Sequence, residues 1–365
     1  MGGNLKLLWF LLLGLISMMI LQILQVNIMN ESREITNKQL LVEKVYSFTL
    51  SPDGEQIIFC SHQGFKILSL KTGNQSLILS LTHIRHIRIL NWSSDKKWLA
   101  FLQLRPLYQE LCLFNLQNDQ IYYISKAQNF AGFAFSPDGG RLAWVEEKRR
   151  GGKIRRSLVV GMLGTGKVSN LKVLYSEERE EISPCLEGVQ WSPNGQFLVF
   201  CSANGQIPQL GVIKPNGTGL RWISPKPSPS RKGFPMHEVF TIYSWAISPD
   251  SEAIAYGFGG DIWLCQIKEI KKSIKIVSNY TAIELCWSPD GKGLLFVSSS
   301  PKALPSAPGC LQRNPPHQLH WVSRDGQKHC LLLEEEKGIY DLQWVKEKDI
   351  FYLSGSLLWK VTLKF

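Results

Sequence analysis

The chain has 365 residues, 44% of them hydrophobic and 19% charged, a balance that supports a large core and excludes an extended disordered protein. Lys and Arg number 41 against 30 Asp and Glu, a formal charge of +11, which suits either an anionic partner or plain solubility. Eight cysteines without a CxxC or a Cys/His spacing exclude a zinc finger and a thioredoxin-like redox motif.

The first predicted element is apolar. Residues 7–29 read LLWFLLLGLISMMILQILQVNIM, long enough to cross about 30 Å of hydrocarbon as a helix. No small-residue cleavage site follows, so residues 1–29 are expected to be an uncleaved signal anchor. Lys6 on one side faces Arg33 and Lys38 on the other, and this count does not set the orientation. The short tail before Leu7 is more easily retained than the domain of residues 30–365, which places that domain on the extracytoplasmic side, periplasmic or extracellular, of a single-pass membrane protein.

That domain repeats one unit. FTLSPDGEQIIF from Phe48 is followed by LNWSSDKKWLAF from Leu90, FAFSPDGGRLAW from Phe133, VQWSPNGQFLVF from Val189, SWAISPDSEAIAY from Ser244, LCWSPDGKGLLF from Leu285 and LQWVKEKDIFYL from Leu342. Pro presets φ, Asp or Asn hydrogen-bonds its own backbone, and Gly accepts a left-handed conformation, so each unit is a strand, a tight turn and a strand. A second pair of apolar runs follows each hairpin, as in FKILSLKTGNQSLILSL. Seven units of four short strands predict an all-β chain closed into a seven-bladed β-propeller, monomeric and without unprotected ends.

The SPDG hairpins resemble the WD-repeat-like blades of TolB-type propellers, blades found also in the propeller domains of prolyl-oligopeptidase-type peptidases and in oligogalacturonide lyase. The resemblance covers Lys44 to Phe365. It implies the fold and little about function, because propellers host many unrelated activities. The last unit lacks a fourth strand, and residues 35–42, ITNKQLLV, are expected to supply it, locking both ends of the domain into one sheet.

The spacing of the units points to one face. Steps between successive turn serines are 40 to 43 residues in three cases and 56 or 57 in the others. The added residues fall at Glu147–Arg156, Glu177–Leu186, Pro225–Val239 and Ser300–Gln318, all in connections that alternation of strand direction brings to a single face. Long loops on a rigid scaffold are where binding tends to reside. The candidate binding residues are Arg149, Arg150, Lys153, Arg155 and Arg156 in the first insertion, Arg231, Lys232 and His237 in the third, and Arg313 and His317 in the fourth. An acidic ligand fits this set, although Glu177, Glu178, Glu180 and Glu181 could neutralise it internally.

Chemistry is sparse. No GxSxG nucleophile elbow and no Gly-rich phosphate loop occurs, so no cofactor, no catalytic residue and no metal ligand is expected. The basic cluster contains no aromatic residue, which argues against nucleic acid. The expected function is a non-catalytic scaffold whose long-loop face binds a protein or an anionic envelope polymer. The alternative is a metal-dependent polysaccharide lyase or hydrolase with histidines, His237 and His317 among them, around the central funnel. Cys310 and Cys330 flank an irregular segment and are the candidate disulfide pair. Five N-x-Ser/Thr sequons, at Asn30, Asn74, Asn91, Asn216 and Asn279, would matter only in a eukaryotic secretory pathway.

Overall fold

The repeated turn explains the repeated hairpin. In the first six units the motif serine is buried (Ser51, Ser93, Ser136, Ser192, Ser248 and Ser288). Its hydroxyl donates to the acid or amide two residues on and accepts the backbone N–H five residues on, as at Ser93, with Asp95 at 2.7 Å and Trp98 at 2.9 Å. Both ends of the turn are thereby tied to one buried oxygen, which satisfies polar groups that strand pairing leaves open. The fourth turn position has positive φ and is Gly54, Gly139, Gly195 or Gly291, but Lys96 and Ser251 occupy it in the second and fifth units.

The computed structural model describes residues 33–80, 87–164, 168–179, 188–202, 208–223, 242–270, 272–300, 315–346 and 348–364. The expected anchor, residues 1–29, lies outside them. No helix among the described residues is long and apolar enough to cross a membrane.

Among the described residues, twenty-eight strands form seven four-stranded antiparallel sheets. The first strand, β1 (Glu34–Glu43), precedes blade 1, which is β2 (Ser47–Leu50), β3 (Gln56–Ser61), β4 (Gly64–Ser69) and β5 (Gln75–Ser80). Blade 2 is β6 (Ile87–Trp92), β7 (Trp98–Leu104), β8 (Gln109–Asn115) and β9 (Gln120–Ala127). Blade 3 is β10 (Asn129–Phe135), β11 (Arg141–Arg150), β12 (Lys153–Leu163) and β13 (Val168–Arg179). Blade 4 is β14 (Val189–Trp191), β15 (Leu198–Ser202), β16 (Gln209–Ile213) and β17 (Arg221–Ile223). Blade 5 is β18 (Ile242–Ile247), β19 (Ala253–Phe258), β20 (Asp261–Gln266) and β21 (Ser273–Val277). Blade 6 is β22 (Glu284–Trp287), β23 (Gly293–Ser299), β24 (His317–Ser323) and β25 (His329–Glu335). Blade 7 is β26 (Tyr340–Trp344), β27 (Asp349–Ser354) and β28 (Leu357–Lys364), with β1 as its outer strand. The fold is therefore an all-β, seven-bladed propeller.

In blade 7 the register runs from Glu34 opposite Lys364 to Glu43 opposite Leu357. This antiparallel pairing covers what would be a bare edge on β28.

The core is divided among the blade interfaces. Seven apolar clusters each join one blade to the next, for example Phe65, Phe101 and Phe114 between blades 1 and 2, and Trp321, Trp344 and Tyr352 between blades 6 and 7. Cys60, Cys201 and Cys265 are buried within these clusters and act as small apolar side chains. Inner strands are further stitched across blades by indole donors, Trp191 Nε1 to the Ala134 carbonyl (3.1 Å) and Trp287 Nε1 to that of Ala246 (3.0 Å).

Antiparallel order sorts the connections. Turns between first and second strands, and between third and fourth strands, lie on one face of the disc, the turn face. Second-to-third turns and blade-to-blade connections lie on the other, the loop face.

Candidate functional site

The insertion at Glu147–Arg156 is not the loop expected from its composition. It is paired strand. β11, β12 and β13 span 10, 11 and 12 residues, whereas in the other blades the second and third strands span five to eight. At roughly 3.3 Å per residue the surplus raises a ribbon about 10 Å above the loop face. Its tip is Gly151–Gly152, both at positive φ, between Arg150 and Lys153 paired in register. A two-residue hairpin loop needs that conformation twice, which glycine supplies. Glu177, expected in a loop, is likewise inside β13.

Pairing also separates the cations. One register row crosses the ribbon base as Glu147, Arg156 and Glu177 on neighbouring strands. Arg156 is 3% exposed and its guanidinium meets Glu147 at 3.4 Å. It is thus a buried structural ion, and its place among the surface-binding residues is corrected. Lys148, Arg149, Lys153 and Arg155 are all exposed, but alternation puts Lys148, Lys153 and Arg155 on one face of the ribbon and Arg149, opposite Ile154, on the other. Lys148 pairs with Glu146 at 2.6 Å, and Arg155 sits opposite Glu178 and reaches Ser176 at 3.4 Å. Arg149 and Lys153 have no ion pair among the described residues.

The remaining candidates do not join them. Arg231, Lys232, His237 and Arg313 lie outside the described residues, as does Cys310, the expected partner of Cys330. His317 is corrected from loop to strand: it opens β24, is fully buried, and its Nδ1 accepts the Ile339 N–H at 3.1 Å. Removing it from solvent removes it from any open surface.

The loop face also holds the mouth of the central channel, where the alternative reading placed histidines; the acids found there were not among the candidates. A cavity of about 380 Å³ is lined by the inner strands of the blades. Four residues before the motif serine, or before Val345 in the last unit, stand Ser47, Gly132, Gly188, Ser244, Glu284 and Asp341, all on the channel wall. Carboxylates thus replace small residues in blades 6 and 7 alone among these six. Glu284 accepts the Asp341 and Leu342 N–H groups at 3.1 and 2.8 Å, bridging β22 to β26. Gln343 bridges β26 to β2 through Leu50 N–H (3.0 Å) and the Phe48 carbonyl (3.2 Å). Asp341 sits at an irregularity in the β26–β27 ladder with φ 55°, a conformation Asp tolerates better than most residues and one that re-aims side chains.

Burial between channel walls, reinforced by the charge of Asp341, holds the Glu284 carboxyl up to about 7 against the pull of its two N–H donors. Asp341 is exposed to the channel yet crowded by the same walls, which raise it to about 6, while a Ser47 hydrogen bond works the other way. In a seven-fold ring, blade 3 stands across the axis from the seam of blades 6 and 7. The basic ribbon and the acidic mouth therefore oppose each other over the channel, and the loop face is electrically polar.

Among the described residues, no three His, Cys, Asp or Glu side chains converge as a metal site. The signal for Glu284 and Asp341 was present in the aligned repeats, as acids at a position filled by Ser or Gly in four of the other five units and by Ile89 in the second.

No protein-family model matches the chain, and no curated protein does. Among solved structures, the fold is similar to an oligogalacturonate lyase in complex with manganese, at 14% identity over 91% of this chain and 95% of that one, TM-score 0.62. It is similar to the β-propeller domain of Cps50 (Swd1) from Myceliophteria thermophila, at 12% identity over 91% and 100%, TM-score 0.61. TolB from Acinetobacter baumannii matches at 14% identity over 86% of this chain and 62% of that one, TM-score 0.46. The first two likenesses show a shared WD-repeat-like propeller fold and nothing beyond it.

Proposed function

We propose that the protein is a membrane-anchored, non-catalytic interaction module that docks an anionic protein on its loop face. The ribbon of blade 3 carries this reading: a rigid, paired projection that turns Arg149, Lys153 and Arg155 to solvent. Ordered strands lose little freedom on binding, so their cations are pre-organised for a partner. The propeller fold, widely used as an interaction scaffold, agrees with it. β1 starts on the turn face, and an anchor at residues 1–29 would leave the domain there, directing the ribbon away from the bilayer and toward an extracytoplasmic partner.

Proximity labelling from the ribbon tip in intact cells tests the reading. Arg149→Ser, Lys153→Ser and Arg155→Ser combined should abolish recovery of the labelled partner while leaving the fold intact. Unchanged recovery refutes it.

A further inference from the structure

The outer half of blade 6 places two imidazoles together. His320 on β24 and His329 on β25 are diagonal cross-strand neighbours, since Val322 opposes His329 and Leu331 opposes His320. His320 Nδ1 and His329 Nε2 are 3.2 Å apart. The other nitrogen of His320 meets the Ser298 hydroxyl at 3.2 Å, and its ring stacks on Phe296 with centroids 4.7 Å apart. Tyr280 closes the cluster edge-on, 4.8 Å from His320 and 5.2 Å from His329. His320 is 2% exposed, whereas His329 is open to solvent.

We propose that His320 and His329 form a two-imidazole site for a divalent transition-metal ion, zinc or copper in class, which clamps the outer hairpin of blade 6. The separation fits: two ligands about 2.0–2.1 Å from a tetrahedral metal lie roughly 3.3 Å apart, close to the spacing already present. Binding replaces the His–His hydrogen bond and asks the two lone pairs to tilt by roughly 35° from the line joining them. His329, on the exposed side, has room for that movement. The Ser298 contact holds His320 with Nδ1 toward the partner ring, the orienting role that hydrogen bonds to the second ring nitrogen play in metal sites. A hydrogen bond between the two rings requires at least one of them to be neutral, and neutral imidazole is the form that ligates. Water completes the coordination, because no third donor converges among the described residues. Imidazole donors favour zinc and copper over calcium or magnesium.

The test uses the full chain in detergent, stripped with EDTA and titrated with Zn²⁺ and, separately, Cu²⁺ by calorimetry. One ion per chain with a micromolar dissociation constant is expected, with a Tm raised by a few degrees at saturation and copper spectra showing two nitrogen ligands. His329→Gln, at an exposed position, should weaken binding at least tenfold while its metal-free Tm stays near wild type. His62→Gln, at an exposed histidine in blade 1, should leave binding unchanged. No binding, or binding that His329→Gln leaves intact, overturns the proposal.

Discussion

Replacing Glu284 by Gln should make the protein more stable at pH 8 and flatten its pH dependence. Glu284 is held from 4.5 up to about 7 in the folded chain. The folded state therefore binds the proton more tightly than the unfolded one. The sign follows from linkage: stability from the neutral carboxyl is fully present below about 4.5 and is lost as pH rises through 7. At about 1.4 kcal/mol per tenfold change in proton affinity, keeping Glu284 ionised in the fold costs about 3 kcal/mol as a ceiling. Water in the channel screens part of this, leaving roughly 1–2 kcal/mol. Gln cannot ionise, yet its Oε1 can still accept the Leu342 N–H now bound at 2.8 Å. Urea unfolding at pH 5 and pH 8 reads the effect. Glu284→Gln should gain about 1–2 kcal/mol over wild type at pH 8 and nearly nothing at pH 5. Equal midpoint differences at both pH values, or a loss at pH 8, would refute the reasoning.

Three other predictions follow from the same geometry. Arg156→Ser should cost about 3–5 kcal/mol, because Glu147 and Glu177 would be left buried on either side of the missing cation, while Arg149→Ser and Arg155→Ser stay within about 0.5 kcal/mol; denaturant midpoints separate them, and equal effects would deny the buried row. Lys96→Gly should stabilise by roughly 0.5–1 kcal/mol in thermal unfolding, since Lys96 occupies the left-handed place filled by glycine in four other turns and its ion pair with Asp53 is exposed and weak; a fall in Tm would contradict this. His317→Ala should lower stability by about 1–3 kcal/mol by stranding the Ile339 N–H, without changing metal content by elemental analysis; a lost stoichiometric metal would revive the lyase alternative.

The repeats made the propeller legible. SPDG-type turns force hairpins locally, and the turn serine with its acid partner is complete within six residues, so seven hairpins can be counted without knowing what they touch. The division of the basic segment was not legible in the same way. Composition showed a run of cations around Gly151 and Gly152 and suggested a loop, yet two glycines flanked by matched strands also make a hairpin tip. Only the register sets Arg156 between Glu147 and Glu177 and puts Arg155, one residue earlier, on the opposite face of the ribbon.

His317 shows the same limit, since a polar residue after a Pro-rich stretch looks exposed until the seam between blades 6 and 7 closes over it. The channel acids needed closure of the ring as well. Glu284 and Asp341 are 57 positions apart in sequence, and their coupling exists because neighbouring inner strands converge on one axis. Local turn chemistry is written in contiguous residues and so determines the blades; burial and charge pairing depend on which strands become neighbours, and the closed ring alone decides that.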